Sequence, residues 1–248
     1  SKGIKKNQIL NPEVLSNEIN SVYLAASKNL EINKIQFFSN ITDSNLVARK
    51  NFSNLKIGDF GITKKTIREI YKKNFSETNL KNKKLIHSFP ITFYLDNKYK
   101  IDDPIGKKCD KIGLSTFNIL VDKPHVEKLE KCFRRNKISI KSFFDSGVAA
   151  SLSNLNSNEM KEGTVCIDIG YFSSKIIVFL ENKIIFADNL PIAGKDVTKD
   201  ISKGLDISEE NAETLKIIHG SLNSSYNENI DLNFDSNNKK KINKNLLH

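Results

Sequence analysis

Thr164-Val165-Cys166-Ile167-Asp168-Ile169-Gly170-Tyr171-Phe172-Ser173-Ser174-Lys175 is the stretch on which the fold turns. A strand ends in Asp168 and Gly170, and a second strand, Lys175–Leu180, follows at once. A third, Ile184–Leu190, completes an expected antiparallel meander, because the connectors are short. Asp168 sits where a strand feeds a tight turn. A carboxylate there either holds magnesium through water against nucleotide phosphates or bonds its own backbone. Gly170 either lets backbone N–H groups approach an anion or only turns the chain. Tyr171 and Phe172 are bulky where a phosphate needs bare backbone.

Downstream, the loop Pro191–Lys195 leads into a helix carrying Val197 and Ile201. Gly194 either brings that helix N-terminus to a phosphate tail or is a simple loop glycine. A second helix, Ser208–His219, has a capping serine, Glu209 and Glu210 in its first turn, and Gly220 as its stop. Glu213 and Lys216 lie three apart and share a face. They either pair on a solvated surface or offer an acceptor and a donor to a ribose and base. By composition, the Asn-, Lys- and Ser-rich stretch 223–245 reads as disordered.

Upstream, Asn11-Pro12 opens a helix by capping and by proline in the first turn. Lys34–Ile41 reads as a strand. Thr63 caps a helix with Ile67, Ile70, Tyr71 and Phe75 on one side. Leu85 to Leu95 alternates as a long strand, and Pro90 within it implies an edge or a bulge. Asp103-Pro104-Ile105-Gly106 is a turn. Leu114–Val121 is a strand, Pro124 opens an amphipathic helix, Ile138–Phe144 is a short strand and Gly147–Leu155 a small-residue helix. His87, on an apolar alternating face, reads as a packed, hydrogen-bonded histidine.

At 248 residues with 38% hydrophobic content, the chain can build a proper core. No apolar run approaches the roughly 20 residues needed to span a bilayer. The basic start Ser1–Lys6 precedes no long apolar segment, so no signal peptide is expected. Cys109, Cys132 and Cys166 lack CxxC spacing and read as reduced and structural. The net charge of +10 is almost wholly lysine, scattered among acids, so a solvated basic surface is expected and no nucleic-acid partner. His125, His219 and His248 have no Cys, His or Asp neighbours at metal-ligand spacing, so no zinc site is expected.

Six segments, in order, resemble the FtsA family of bacterial cell-division proteins, within the actin-like ATPase superfamily. Ser1-Lys2-Gly3-Ile4 resembles the family's Ser-Arg-Gly-Ile entry. Leu85-Ile86-His87-Ser88-Phe89-Pro90-Ile91-Thr92-Phe93 resembles His-x-Ile-Pro-x-x-Tyr, and Asp103-Pro104-Ile105-Gly106 resembles Asn-Pro-Val-Gly. Val165–Gly170 resembles the second phosphate motif. Ile192-Ala193-Gly194 with Val197-Thr198-Lys199-Asp200-Ile201 resembles Tyr-Ala-Gly…Val-Thr-x-Asp-Ile. Ala212 to Gly220 resembles Ala-Glu-x-Ile-Lys-x-x-His-Gly.

The resemblance implies an α/β fold of actin-like (ribonuclease H-like) lobes, truncated at both ends, with an inserted strand-helix-strand-strand subdomain. The implied parts are a first-lobe remnant 1–33, the insert 34–122, a return to the first lobe 123–162, the start of the second lobe 163–222 and a cut-short end 223–248. There, Ile230–Leu232 would be a strand and Ile242–Leu247 a helix start. ATP and magnesium are the implied cofactors. Asp168 would face magnesium through water, Asp168, Gly170 and Ser173 would face phosphate, Gly194 would approach the nucleotide, and Glu213 and Lys216 would contact ribose and base. The implied partners are FtsZ, further copies of the chain in filaments, and other division proteins through the insert. Membrane contact would come through a C-terminal helix absent from this chain, at the cytoplasmic face of the division site.

The family's Gly-Gly-Gly-Thr loop is replaced by Gly170-Tyr171-Phe172-Ser173, which implies a degraded or incomplete ATP site, a weak ATPase at most, and an adaptor role. The alternatives are a competent ATPase whose Tyr171 and Phe172 turn outward, or a pilus-assembly relative of the same superfamily.

Overall fold

The computed structural model describes residues 3–5, 8–28, 36–42, 45–58, 61–78, 81–221, 229–235 and 238–243. The chain divides into two compact units. The first comprises residues 1–168 and 174–191, the second 169–173 and 192–248.

In the first unit, a short hairpin of β1 (Ile4–Lys5) and β2 (Gln8–Ile9) leads into α1 (Pro12–Ser27). The Asn11 side chain accepts the N–H groups of Glu13 and Val14, and Pro12 occupies the first turn, as the sequence implies. β3 (Phe37–Ile41) pairs in parallel with β8 (Ile140–Asp145). The start of the expected 34–41 strand lies outside the described residues. Between them comes a four-stranded antiparallel sheet in the order β4-β7-β5-β6, from β4 (Val47–Lys56), β5 (Lys83–Leu95), β6 (Tyr99–Ile101) and β7 (Lys111–Asp122). Pro90 faces Thr116 of β7, next to a register shift, and β6 reaches only Phe93–Leu95. The register shift beside Pro90 is the irregularity that the proline implied, whereas β5 lies between β7 and β6 and is not an edge strand.

β7 is the buried axis of this unit. Ile112 and Leu114 pack with Ile62, Ile70 and Phe93 beneath α2 (Lys64–Glu77). Further along the same face the residues become polar, and α2 meets them with polar groups. The Thr116 hydroxyl donates to Asn74 Oδ1 at 2.8 Å, and Asn118 Nδ2 donates to the Thr78 hydroxyl at 3.0 Å. The inward stripe of α2 is thus Ile70, Asn74 and Thr78, whereas Phe75, expected inside, is 62% exposed. Asn74 and Thr78 continue the helical spacing from Ile70 and Ile67, and Phe75 falls to the side of that stripe. Replacing Asn74 by leucine should cost about 1–3 kcal/mol, because the Thr116 hydroxyl loses its buried partner. Urea melts of the variant against the wild type would check this.

Val126, Leu129 and Cys132 of α3 (Lys123–Arg134) join Leu15, Ile41, Val121 and Phe143 in a second core. α4 (Ser146–Asn154) follows β8 directly. A short helix, α5 (Ser157–Glu162), was not expected from the sequence. Asn156 and Glu159 form a reciprocal capping box at its start, a four-residue signal that could have found it. β9 (Thr164–Ile169), β10 (Ser174–Leu180) and β11 (Lys183–Leu190) form a sheet in the order β11-β10-β9, with β10 and β11 antiparallel. Ile177, Phe179, Ile184 and Ala187 pack on Phe117, Ile119 and Val148.

His87 is packed as expected. Its ring stacks on Phe89 at 5.3 Å, and Nε2 accepts the Asp145 N–H at 2.9 Å. That bond requires an unprotonated Nε2. Burial, with a smaller opposing pull from Asp145, lowers its pKa from the ordinary 6.5. The unfolded chain therefore takes up this proton first as pH falls. The stabilisation is full above about pH 6.5 and declines as pH falls towards the folded value. Thermal melts should show His87→Gln with a weaker loss of stability than the wild type between about pH 7.5 and 5.5.

The second unit holds the loop 169–173, α6 (Gly194–Leu205) and α7 (Glu209–His219). Thr198 is the buried residue of α6, whereas Val197 is half exposed. Ala212 and Leu215 are the buried residues of α7. β12 (Asn229–Asp235) and β13 (Asn238–Asn243) form an antiparallel hairpin. β12 contains the Ile230–Leu232 strand that the resemblance implied, within a stretch that composition alone suggested as disordered; the helix start expected at Ile242 is corrected, because Ile242 is in a strand paired with Ile230. Residues 244–247 of that expected helix start lie outside the described residues.

Candidate functional site

The second unit brings Gly170, Ser173, Gly194, Glu213 and Lys216 into one cluster. Its frame is the junction between the 169–173 loop and the first turn of α6. The Gly170 N–H donates to the Ser173 carbonyl at 3.2 Å, which closes the loop on itself. A Cβ on Gly170 would sit 2.9 Å from that carbonyl oxygen, so close approach is what demands glycine here. A positive φ is not the reason, since Gly170 is not among the residues with one.

The loop is then tied to α6. The Gly194 N–H donates to the Gly170 carbonyl at 3.0 Å, and the Lys195 N–H to the Tyr171 carbonyl at 2.9 Å. A helix start leaves its first N–H groups unpaired, and these are the groups that bind a phosphate. Here two of them are spent on the loop. The Asp196 carboxylate accepts the Ala193 N–H at 3.1 Å and closes the same helix start from its other side.

Glu213 and Lys216 meet this frame from α7. Lys216 Nζ donates to Glu213 Oε2 at 2.7 Å, to the Thr198 hydroxyl at 2.9 Å and to the Gly194 carbonyl at 3.1 Å. An ammonium has three protons, so all of its donors are engaged. Thr198 also bonds the Glu213 carboxylate. The Lys216 and Thr198 bonds hold the Glu213 pKa below the usual carboxylate range. Lys195 bonds Glu209 at 2.7 Å, and that bond raises the Lys195 pKa. Both ammonium groups also lie over the Tyr171 ring, Lys195 at 5.7 Å and Lys216 at 5.8 Å. Phe172 packs edge-on against that ring at 4.7 Å.

The two bulky loop residues therefore belong to a packed assembly. Tyr171 and Phe172 pack edge to face, and two lysines lie over Tyr171. The phosphate loop that the sequence suggested does not fit a bare-backbone cradle: the Gly170 amide and the first two amides of α6 are bonded to loop carbonyls, and Tyr171 and Phe172 pack against each other beside two lysines. Thr198, the hub of the polar network, was missed in the sequence. Its signal was its position four residues after Gly194, one helical turn along the same face.

Asp168 lies half-buried on β9, in the first unit. Among the described residues, no three His, Cys, Asp or Glu side chains converge as a metal site, and no helix is long and apolar enough to cross a membrane.

Comparison with solved structures places this architecture in the actin-like class of α/β folds. A chain of the "PilM-PilN type IV pilus biogenesis complex" superposes with a TM-score of 0.61 over 88% of this chain and 60% of that one, at 16% identity. Two family models carry the assignment further. One, "SHS2 domain inserted in FTSA", matches residues 45–120, and the other, "Cell division protein FtsA", matches residues 165–248, which hold every candidate site residue. The chain belongs to the FtsA family. It is 25% identical over 221 residues to the FtsA of Agrobacterium fabrum, covering 89% of this chain and 50% of that protein. It is 26% identical over 226 residues to that of Buchnera aphidicola subsp. Acyrthosiphon pisum, covering 90% and 53%. The chain spans about half the length of these curated relatives.

Proposed function

We propose that the chain is part of a cell-division adaptor that self-assembles and links FtsZ filaments to the inner face of the cytoplasmic membrane, with its nucleotide end closed. Family membership supports the division role. The closed junction of the 170–173 loop with α6 carries the second half of the reading, since the amides and the lysine that would greet a nucleotide are already bonded. Asp168 remains the proposed magnesium-side carboxylate, and Gly170, Ser173, Gly194, Glu213 and Lys216 the proposed remnant of the ATP pocket. In this reading the remnant is structural, and the work is assembly and tethering. The insert, proposed as 34–122, would be a surface for self-association and for other division proteins, and a C-terminal helix outside this chain would touch the membrane.

The test is retention of the full-length protein on an immobilised FtsZ C-terminal tail peptide. Retention that a scrambled peptide does not give would support the adaptor reading, and equal behaviour on both peptides would overturn it. The pilus-assembly alternative rests on fold likeness alone. Retention on a pilus-assembly partner and not on the FtsZ tail would favour it.

A further inference from the structure

α1 and α3 meet along a fixed seam. The Ser16 hydroxyl donates to the Cys132 carbonyl at 3.2 Å, Cys132 Sγ lies 3.5 Å from the Pro12 carbonyl, and Asn136 Nδ2 donates to the Ser16 carbonyl at 2.8 Å. Beside this seam opens a cavity of about 430 Å³, within the size range of small-ligand sites. Its lining is Pro12, Lys128, Lys131, Cys132, Arg134 and Arg135. Four cations and no carboxylate line it.

Cations at the end of a helix are ordinarily explained by the helix itself, because they complement its dipole and bond its last carbonyls. That explanation is already used up in α3. The Arg135 N–H caps the Lys131 carbonyl, and the Ser16 and Asn136 side chains cover that of Cys132. The Asn136 and Ile138 N–H groups bond Phe133, and Lys137 N–H bonds Arg134. Neutralisation by neighbouring acids fails as well. Glu130 pairs with Lys84 at 2.5 Å and lies 3.7 Å from Arg134, and Glu127 is 3.9 Å from Lys123. Among the described residues, Lys128, Lys131 and Arg135 have no carboxylate within ion-pair distance. Lys128, Lys131 and Arg135 follow at spacings of three and four, so like charges stack on one helical face and repel. A concave site that gathers unneutralised lysine and arginine on a rigid floor matches an anion with several oxygens. Arginine forks pair with phosphate through two parallel bonds, and lysines add point charge.

We propose that the α1–α3 cavity is a phosphate-binding site, with Lys128, Lys131, Arg134 and Arg135 as its ligands. The phosphate could come from an anionic lipid headgroup or from a soluble polyphosphate. This is separate from the closed loop of the second unit and does not rest on it.

Titration calorimetry of the full-length protein with inorganic tripolyphosphate tests it, using Lys131→Gln/Arg135→Gln and a control, Lys64→Gln/Lys65→Gln, that removes the same charge from the exposed start of α2. The pocket variant should weaken binding by about tenfold and the control by less than about twofold, at about 0.1 M salt. Matching thermal melts would show that both variants fold. No binding of tripolyphosphate, or equal loss in both variants, would overturn the proposal. Flotation with phosphatidylglycerol vesicles then names the source. A loss confined to the pocket variant supports a headgroup site, and unchanged flotation with lost tripolyphosphate binding supports a soluble phosphate.

Discussion

Replacing Asp145 by alanine is expected to destabilise the protein by about 3–5 kcal/mol, the usual cost of leaving a buried charge without its partner. Asp145 and Lys175 form an ion pair whose side chains are 0% and 3% exposed. The carboxylate also accepts the Val148 N–H at 3.0 Å and so caps α4, which adds about 1 kcal/mol to the loss. The local packing is shaped around this pair. A Cβ on Gly147 would lie 2.7 Å from the Lys175 Cδ, so the lysine stem fills the space a side chain would need. In Asp145→Ala the ammonium stays in that slot with no counter-charge. The double variant Asp145→Asn/Lys175→Met should recover most of the loss, because asparagine keeps the cap and methionine fills the stem without charge. Urea unfolding of the single and double variants measures both values. A single variant within about 1 kcal/mol of the wild type would show that the pair contributes little.

The second large effect is a gain. Tyr171→Gly/Phe172→Gly in the full-length protein is expected to raise affinity for ATP with magnesium by about tenfold, or roughly 1.4 kcal/mol. Removing Tyr171 releases Lys195 and Lys216 from the ring, and glycines free the loop to turn its amides outward. The ties of Gly194 and Lys195 to the loop carbonyls then compete with a phosphate on more equal terms. A calorimetric titration checks it. Unchanged affinity would mean that the two side chains are not what keeps nucleotide out.

Much of this was legible in the sequence because it is local. Asn11-Pro12, Thr63 and Ser208 each announce a helix start with a side chain that bonds the next turn, and all three do so. Pro90 announces an irregular strand by its missing donor, and β5 shifts register beside it. Glu213 and Lys216 were visible as one face, with pairing and ligand contact both open. The pairing needed only their spacing, while the hub at Thr198 and the tie to Gly194 needed the fold of α6 against α7. The features that were missed depend on distant partners. Asn74 was hidden because the polar half of β7 that rewards it lies some forty residues on, so a hydrophobic-stripe reading chose Phe75. Asp145 and Lys175 are thirty residues apart, and nothing in either neighbourhood marks them as a pair. Ile242 was expected at a helix start only through the family resemblance, with no local capping or periodic signal of its own. Its strand pairing with Ile230 is a contact with a residue twelve positions back that no local pattern announces.

On the proposed reading, the 170–173 loop is closed against the start of α6 and leaves no open cradle for a nucleotide. Calorimetric titration of magnesium ATP into the full-length wild-type protein tests it most directly. No binding with a dissociation constant tighter than about 1 mM is the predicted result, and micromolar or tighter binding would contradict it.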